Sequence, residues 1–346
     1  MPSSNKRRSV ISEFVSANFT DTSGIIADNQ SPDTQNMIRD VPGKVRKCMG
    51  YEKLKTYDGR INGYHVRRGD GIGIIHAGTK MYKEDAVLYD GMADARSRSF
   101  QMGSKLYIID GKALLVYDGT TVKKATEISY IPTITIAKSS EKSAGYEAVN
   151  LLQPKFREQF YNTSSTTFTM SLSPLDEGSA VVVEWKNSNG EWEDISSKIT
   201  NINYAASTIT LNSAQTASIT GEDNIRITAQ KTVPGYADRI NRCTVGILFG
   251  VNGGSDRLFL SGNESNEFIN YDWYSGQNDP TYFPDNGYAT LGTQVSAVMG
   301  YCILDNYLVA TKDNMEVDRN VIVRRGDLVE SEPAFPIVNT MQGPGE

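Results

Sequence analysis

The chain is poor in the residues that most active sites need. In 346 residues it has two histidines, His65 and His76, and three cysteines, Cys48, Cys243 and Cys302. The cysteines are far apart, odd in number and in no Cys-x-x-Cys spacing. That argues against a disulfide framework and against a zinc site, and it points to synthesis in a reducing compartment. Two histidines on neighbouring expected strands would need a carboxylate or other third ligand nearby to hold a metal; hydrogen-bonded strand histidines are the simpler expectation. No Gly-x-Ser-x-Gly pattern, P-loop or EF-hand spacing occurs. The glycine-rich string at 69–73 lies between expected strands and reads as a turn. No catalytic residue, cofactor or metal is therefore expected.

Long apolar runs are also missing. The stretch near Val245 falls far short of the roughly 20 residues of a membrane helix. The opening MPSSNKRRSVISEF carries Lys6-Arg7-Arg8 without an apolar segment behind it, so neither membrane insertion nor a secretory signal is expected. Positive charge is in deficit: 35 Lys and Arg stand against 41 Asp and Glu, a formal charge of −6. A large face gripping DNA phosphates should be basic, so general nucleic-acid binding is disfavoured. A wall past which DNA slides has no such requirement.

What is present is β-structure. The 39% hydrophobic content is low for a single globule but suits many thin sheets with polar turns. Strand–turn–strand units recur at 71–85, 106–120, 257–273 and 301–317. Their turns are expected at Gly78, Asp110-Gly111, Gly262-Asn263 and Asp305-Asn306, with Asp-Gly the strongest type I′ hairpin signal. Such recurrence suggests a propeller or sandwich. At 129–145 the composition shifts to a connection. From 146 to 232 the alternation is cleaner. Val181, Val183 and Trp185 share a face, Ile209 and Leu211 oppose Thr208, Thr210 and Asn212, and Asn189-Gly190 turns a hairpin. This segment reads as a small β-sandwich inserted into the array, with Val233-Pro234-Gly235 as the return. The expected organisation is all-β. It has an extended N-terminal arm (1–50), a propeller-like array of antiparallel hairpins (51–145), the inserted β-sandwich (146–232), and the rest of the array (233–346). The last part ends on Gly343-Pro344-Gly345 turn chemistry, as an unclosed propeller would.

In the arm, Ser31-Pro32 reads as an N-cap and first helical position, opening a short helix through Asp33, Gln35 and Met37 that Pro42-Gly43 terminates. Phe14, Val15, Phe19, Ile25 and Ile26 have no clear period. They pack along their own domain or reach a neighbour. The loop from Tyr271 to Tyr288 carries Trp273, Tyr274, Tyr282 and Phe283. It caps its own sheet, or it forms a second contact surface, since aromatics are enriched at interface cores. Arg-Gly-Asp occurs at 68–70 and 325–327, where Gly-Asp closing a strand is the ordinary explanation. The string at 187–192 is similar to the Asp-box turn of sialidase propellers but lacks its aspartate. A glycan-binding or glycan-cleaving propeller is the alternative function, and cleavage would need paired carboxylates facing a cleft.

Several short motifs carry a resemblance: Ser31-Pro32-Asp33, Asn36-Met37, Pro42-Gly43 and Gly50-Tyr51 in the arm, NLLQPKFREQF at 150–160, and RLFLSGNESNEFINYDWYSGQNDPTYFP at 257–284. Together they resemble tailed-phage neck or tail-nozzle (stabilisation) proteins. The resemblance implies a virion protein made in the host bacterial cytoplasm, with a β-propeller body and a small inserted β domain. It also implies copies of the chain in a ring, a hexamer by expectation, between portal, adaptor or other tail proteins, with DNA passing through unbound. Relatives of this kind are usually longer. The resemblance carries no catalytic residues.

Overall fold

The computed structural model describes residues 10–22, 24–134, 147–217, 219–313, 319–330 and 332–342. Lys6-Arg7-Arg8, most of the connection expected at 129–145 with its boundary, and the Gly343-Pro344-Gly345 turn lie outside the described residues. The chain is all-β. Its longest described helix, Tyr236–Asn241, has six residues, and the strands gather into antiparallel sheets of three and four with a few two-stranded pairs. It divides into two compact units, residues 1–56 and residues 57–346.

The larger unit is built on four four-stranded sheets, each a meander of strands in chain order. Sheet A comprises Ile61–Val66, Gly73–Ala77, Lys80–Lys83 and Ala86–Asp90. Sheet B comprises Arg98–Met102, Lys105–Ile109, Leu114–Tyr117 and Val122–Lys124. Sheet C comprises Val245–Phe249, Arg257–Ser261, Tyr271–Tyr274 and Tyr288–Thr290. Sheet D comprises Val298–Leu304, Tyr307–Lys312, Val321–Arg325 and Ile337–Met341. The first strands lie side by side: A beside B, B beside C, C beside D.

Period-2 alternation explains why the sheets stack. In the second strand of sheet B, Leu106 and Ile108 point towards sheet A and pack with Ile74 and Met81. Tyr107 and Ile109, on the opposite face, pack with Leu258, Leu260 and Trp273 of sheet C. A sheet covered on both faces needs near-continuous apolar strands, and LYII and LLVY supply them. Between sheets C and D, Val245 packs with Val298, Ala310 and Ile322, and Phe249 and Phe259 pack with Leu308 and Phe335.

Between sheets B and C the chain makes two further sheets. One orders Lys155–Phe160, Ile225–Gln230, Val182–Lys186 and Trp192–Asp194; the other orders Thr167–Thr169, Thr208–Leu211 and Ile199–Asn203. Their inner faces share one core, with Phe156, Phe168, Val183, Ile209, Leu211, Ile225 and Ile227 buried together. Val181 and Val183 are buried while Val182 is exposed, and Ile209 and Leu211 alternate with half-buried Thr208 and Thr210. This is the alternation read from the sequence.

Three local expectations are corrected. The short helix after Ser31 is absent. Gln30–Ser31 instead pairs in parallel with Ser16–Ala17, and Met37–Val41 forms a hairpin with Lys44–Lys47. Ser31 Oγ accepts from Asp33 N at 3.3 Å, so the Ser-Pro-Asp signal closes a local turn, and Asn36 at φ 55° leads into the next strand. Pro42-Gly43 does make a turn, with Gly43 at φ 80°, as a type II turn requires of its third residue. Asp110-Gly111 is not a two-residue turn, because Ile109 pairs with Leu114 and leaves four residues in the loop. Gly262-Asn263 does not turn directly either; the next strand begins only at Tyr271. By contrast, Gly78-Thr79 joins the paired residues Ala77 and Lys80, and Asp305-Asn306 joins Leu304 and Tyr307, each in two residues.

Candidate interaction surfaces

The arm has pairing but no interior. Phe14 N donates to Gly43 O at 3.0 Å, Val15 N to Asn29 O at 2.9 Å, and Gln30 Nε2 to Ser16 Oγ at 2.9 Å. Yet no described residue from 10 to 56 is buried. Phe14 and Ile26 are half-buried, Val15 is exposed, and Phe19 and Ile25 keep 72% and 77% of their surface. Met49, Tyr51 and Leu54 are exposed as well. The arm is a ribbon with apolar side chains on its surface.

The aromatic loop is the opposite case. Trp273 and Phe283 are fully buried in the core between sheets B and C, so neither can serve as a contact surface; that part of the expectation is corrected. Tyr274 and Tyr282 are half-buried. The Tyr282 hydroxyl donates to Ala148 O at 2.9 Å, and its ring tilts against Tyr130 at 5.3 Å. Burial raises its phenol above the usual tyrosine range. Asn150 pins the loop. Its Nδ2 donates to Tyr130 O and Thr281 O at 2.9 and 2.8 Å, and its Oδ1 accepts from Phe283 N at 3.0 Å. The loop caps its own sheet. No sequence signal singled out Asn150, because its partners lie 131 and 133 residues further on.

The two histidines converge. His65 Nε2 and His76 Nδ1 each lie 2.8 Å from Ser97 Oγ, and His76 Nε2 lies 2.9 Å from Gly78 O. All three side chains are buried. Burial, with His76 beside it, pulls His65 down to about 4; burial also lowers His76. Both rings are thus neutral near pH 7, hydrogen-bonded inside the body and out of reach of a substrate. Among the described residues no group of three or more His, Cys, Asp or Glu is placed to hold a metal. No described helix is long and apolar enough to cross a membrane.

The first Arg-Gly-Asp is tied up: Asp70 pairs with Arg67 and accepts from the Tyr117 hydroxyl at 3.3 Å. The second is open, with Arg325 and Asp327 3.9 Å apart and about half exposed. An open groove of about 750 Å³ runs between the first hairpin of sheet B and the aromatic loop, lined by Lys105, Tyr107, Tyr130, Asn278 and Asp279 among others. Burial raises Tyr107 to about 12, and Asp279 Oδ1 is occupied by Thr281 N and Oγ at 2.9 and 2.6 Å.

Sequence reasoning missed two exposed apolar faces. On sheet A, Tyr64, Ile75, Tyr82 and Val87 pair in one row across all four strands, with Tyr64 and Val87 66% and 53% exposed. On sheet D, Cys302, Val309 and Val323 form a row that ends at Asn339, beside Leu304 and Tyr307 in a row that ends at Arg325, and Leu304 is 64% exposed. Their signal was available as strands apolar at consecutive positions, GII, YLVA and VIV, where one-faced sheets would alternate. No protein-family model matches this chain, and no curated protein matches it significantly.

Proposed function

We propose that this chain is a structural virion protein of a tailed bacteriophage, copies of which form a ring at the neck or tail nozzle through which DNA passes. The observation that carries the reading is the arm. A segment that buries no described side chain fully has little beyond its strand pairing to offset the entropy of ordering it. Phe19, Ile25 and Val15 are placed to be covered by a neighbour, and each such side chain contributes roughly 1.5–3 kcal/mol when fully buried, less the cost of ordering the arm. The body supports the same reading. Four consecutive four-stranded meanders with adjacent first strands are what we read as four blades of a β-propeller. The two-sheet unit between the second and third stands where the resemblance implies an inserted β domain. The charge of −6 suits a lumen that must not retain phosphates. The chain's neighbours would be its own copies and portal, adaptor or other tail proteins, and we assign it no catalytic role, cofactor or membrane insertion.

The test is sedimentation velocity and negative-stain imaging of the full chain and of a chain lacking residues 1–30, each alone and with the purified portal and adaptor. Rings are expected from the full chain and are lost or weakened on truncation. A full chain that stays monomeric with those partners supplied overturns the reading. The groove beside Tyr130 is where glycan binding would reside. Saturable binding of host-surface glycan that Tyr130→Ala abolishes would favour that second reading.

A further inference from the structure

We propose that the outer faces of sheets A and D are two halves of one interface, so that sheet D of one copy packs on sheet A of a second copy. This deepens the ring reading above and rests on it for the biological setting, but it stands on different residues from the arm.

The register defines both faces. In sheet D, Tyr301, Ala310 and Ile322 form a row turned towards sheet C, and Leu308 and Arg324 form another. The intervening rows point the other way. One holds Cys302, Val309 and Val323 and ends at Asn339; a second holds Gly300, Thr311, Val321 and Met341; a third holds Leu304 and Tyr307 and ends at Arg325, so the apolar side chains lie mainly on the first three strands with polar groups at the rim. Sheet A is arranged likewise. Ile74 and Met81 face sheet B, while Tyr64, Ile75, Tyr82 and Val87 face away, with Tyr57 laid against Tyr82 at a ring separation of 5.0 Å. An antiparallel sheet with one wet face alternates apolar and polar residues; the strands carrying Ile75, Val309 and Val323 do not, being apolar on both faces at those positions. Sheet B shows what such a pattern accompanies when it is satisfied, because its apolar residues on both faces are covered by a four-stranded sheet on each side.

The occupant follows from continuity. The three junctions A–B, B–C and C–D each join neighbouring four-stranded meanders through apolar faces. Sheets A and D are the ends of that series, each with one face packed on a neighbouring sheet and, among the described residues, the other half-buried to exposed. A second copy supplies the missing partner to one end: its sheet A meets the outer face of D, while its own sheet D and the first copy's sheet A remain for further copies. Such a contact is head-to-tail, so it closes into a ring if the rotation between copies permits and otherwise runs on as a filament.

The native Cys302 gives the experiment. In the full chain carrying Cys48→Ser and Val87→Cys, residues 302 and 87 would face each other across packed sheets, which lie about 10 Å apart. A bismaleimide of that reach should give covalent dimers and a ladder of larger species, absent when Cys302→Ser is added. In parallel, Leu304→Lys and Tyr64→Glu, both at exposed positions and each checked against the parent by its thermal unfolding midpoint, should each weaken self-association at least tenfold by sedimentation. The two mutants mixed should recover part of it, because the new charges then meet. Unchanged association in both mutants with no cross-linked ladder overturns the proposal; if deletion of residues 1–30 nevertheless abolishes rings, the arm-held ring stands without it. Loss of association in both mutants, with the unmodified chain forming open filaments, supports this interface and sinks the ring. A monomeric unmodified chain at every concentration tried overturns this interface.

Discussion

Two junctions between neighbouring sheets bury polar groups in different ways. Between A and B a buried trio, His65, Ser97 and His76, satisfies itself in one arrangement, beside buried Asn62, whose Oδ1 finds no partner, and the buried carboxylate of Asp110. His76 Nε2–H donates to Gly78 O, His76 Nδ1 accepts from the Ser97 hydroxyl, and Ser97 Oγ accepts from His65 Nε2–H. No charge is required. Between C and D, Asp272 pairs with Arg324, with side chains 0% and 1% exposed, and the guanidinium lies over the Phe259 ring at 5.1 Å. Here Asp272 Oδ1 and Arg324 Nε and Nη1 find no hydrogen-bond partner in the protein. A neutral network can be buried at little cost because every proton has a destination. A buried ion pair has to offset two desolvations with one contact.

The largest expected effect breaks the charged junction on one side. Asp272→Ala leaves Arg324 buried without a counter-ion and should destabilise by about 3–5 kcal/mol in urea unfolding. The same loss is expected from Arg324→Ala. Replacing both together with apolar groups of similar volume, Asp272→Leu with Arg324→Met, should recover most of the loss and can exceed the parent stability. A double variant as unstable as the sum of the singles would show that the pair holds sheets C and D through more than mutual neutralisation.

The second effect sets the junctions against each other through pH. His65 has its folded value near 4 and its free value at 6.5, so the unfolded chain binds more protons between those limits. The contribution of that neutral ring is complete above pH 6.5 and is lost as pH falls towards 4, on the order of 3 kcal/mol in all. His76 is shifted in the same direction by burial. Asp272 runs oppositely. Burial pushes it from 3.8 up to about 6 despite the opposing pull of Arg324, so its term weakens the fold as pH rises through that interval. In His65→Gln, stability measured at pH 4.5, 5.5 and 7 should rise less steeply with pH than in the parent. An unchanged slope would mean that His65 is not what titrates.

How legible these junctions were follows from the strands that build them. The hairpin array could be read because Gly78-Thr79 and Asp305-Asn306 are two-residue turns between apolar runs. In the two-sheet unit the strand with Ile209 and Leu211 could be read because Thr208, Thr210 and Asn212 alternate with them, whereas Val181 and Val183 flank a third valine, Val182, that points outward. The charged pair could not. In VIVRR both faces are apolar up to Arg324 and Arg325, so period 2 cannot say which arginine goes inside; the residues of sheet C decide that, and Asp272 is 52 positions away. The arm misled for a related reason. Ser-Pro-Asp caps a helix only where the following residues have an apolar stripe to bury, and none follows. The aromatic loop invited an interface reading because composition does not distinguish a buried Trp273 from an exposed one.

A smaller effect tests the carboxylate that sits at the junction of A and B. Asp110 is buried in the second loop of sheet B. Its Oδ1 accepts from Lys112 N and Ala113 N, both at 2.9 Å, and its Oδ2 accepts from Ala93 N at 2.8 Å in the link from sheet A. Asp110→Ala strands three backbone donors and should cost about 1–3 kcal/mol. Asp110→Asn keeps one acceptor oxygen and should cost less. Equal losses in the two would place the effect in the charge rather than the hydrogen bonds.

The smallest expected effect tests whether the histidine network depends on one backbone position. Gly78 has φ 56°, and a Cβ there would meet Asp58 O at 2.9 Å. Its carbonyl accepts from His76 Nε2 at 2.9 Å and from Asn62 Nδ2 at 3.2 Å, so the turn also holds the end of the proton chain. Gly78→Ala should cost about 1 kcal/mol or somewhat more through the left-handed conformation, with the clash added. Gly78→Asn should recover part of the conformational share, because asparagine tolerates that region best among the other residues. The decisive reading is the pH slope. If the alanine variant moves the turn, His76 loses its acceptor at Gly78, and the stability difference between pH 5 and pH 7 changes along with the midpoint. If the midpoint falls while the slope stays as in the parent, the network survives a strained turn, and the burial of the rings between sheets A and B is what keeps them neutral.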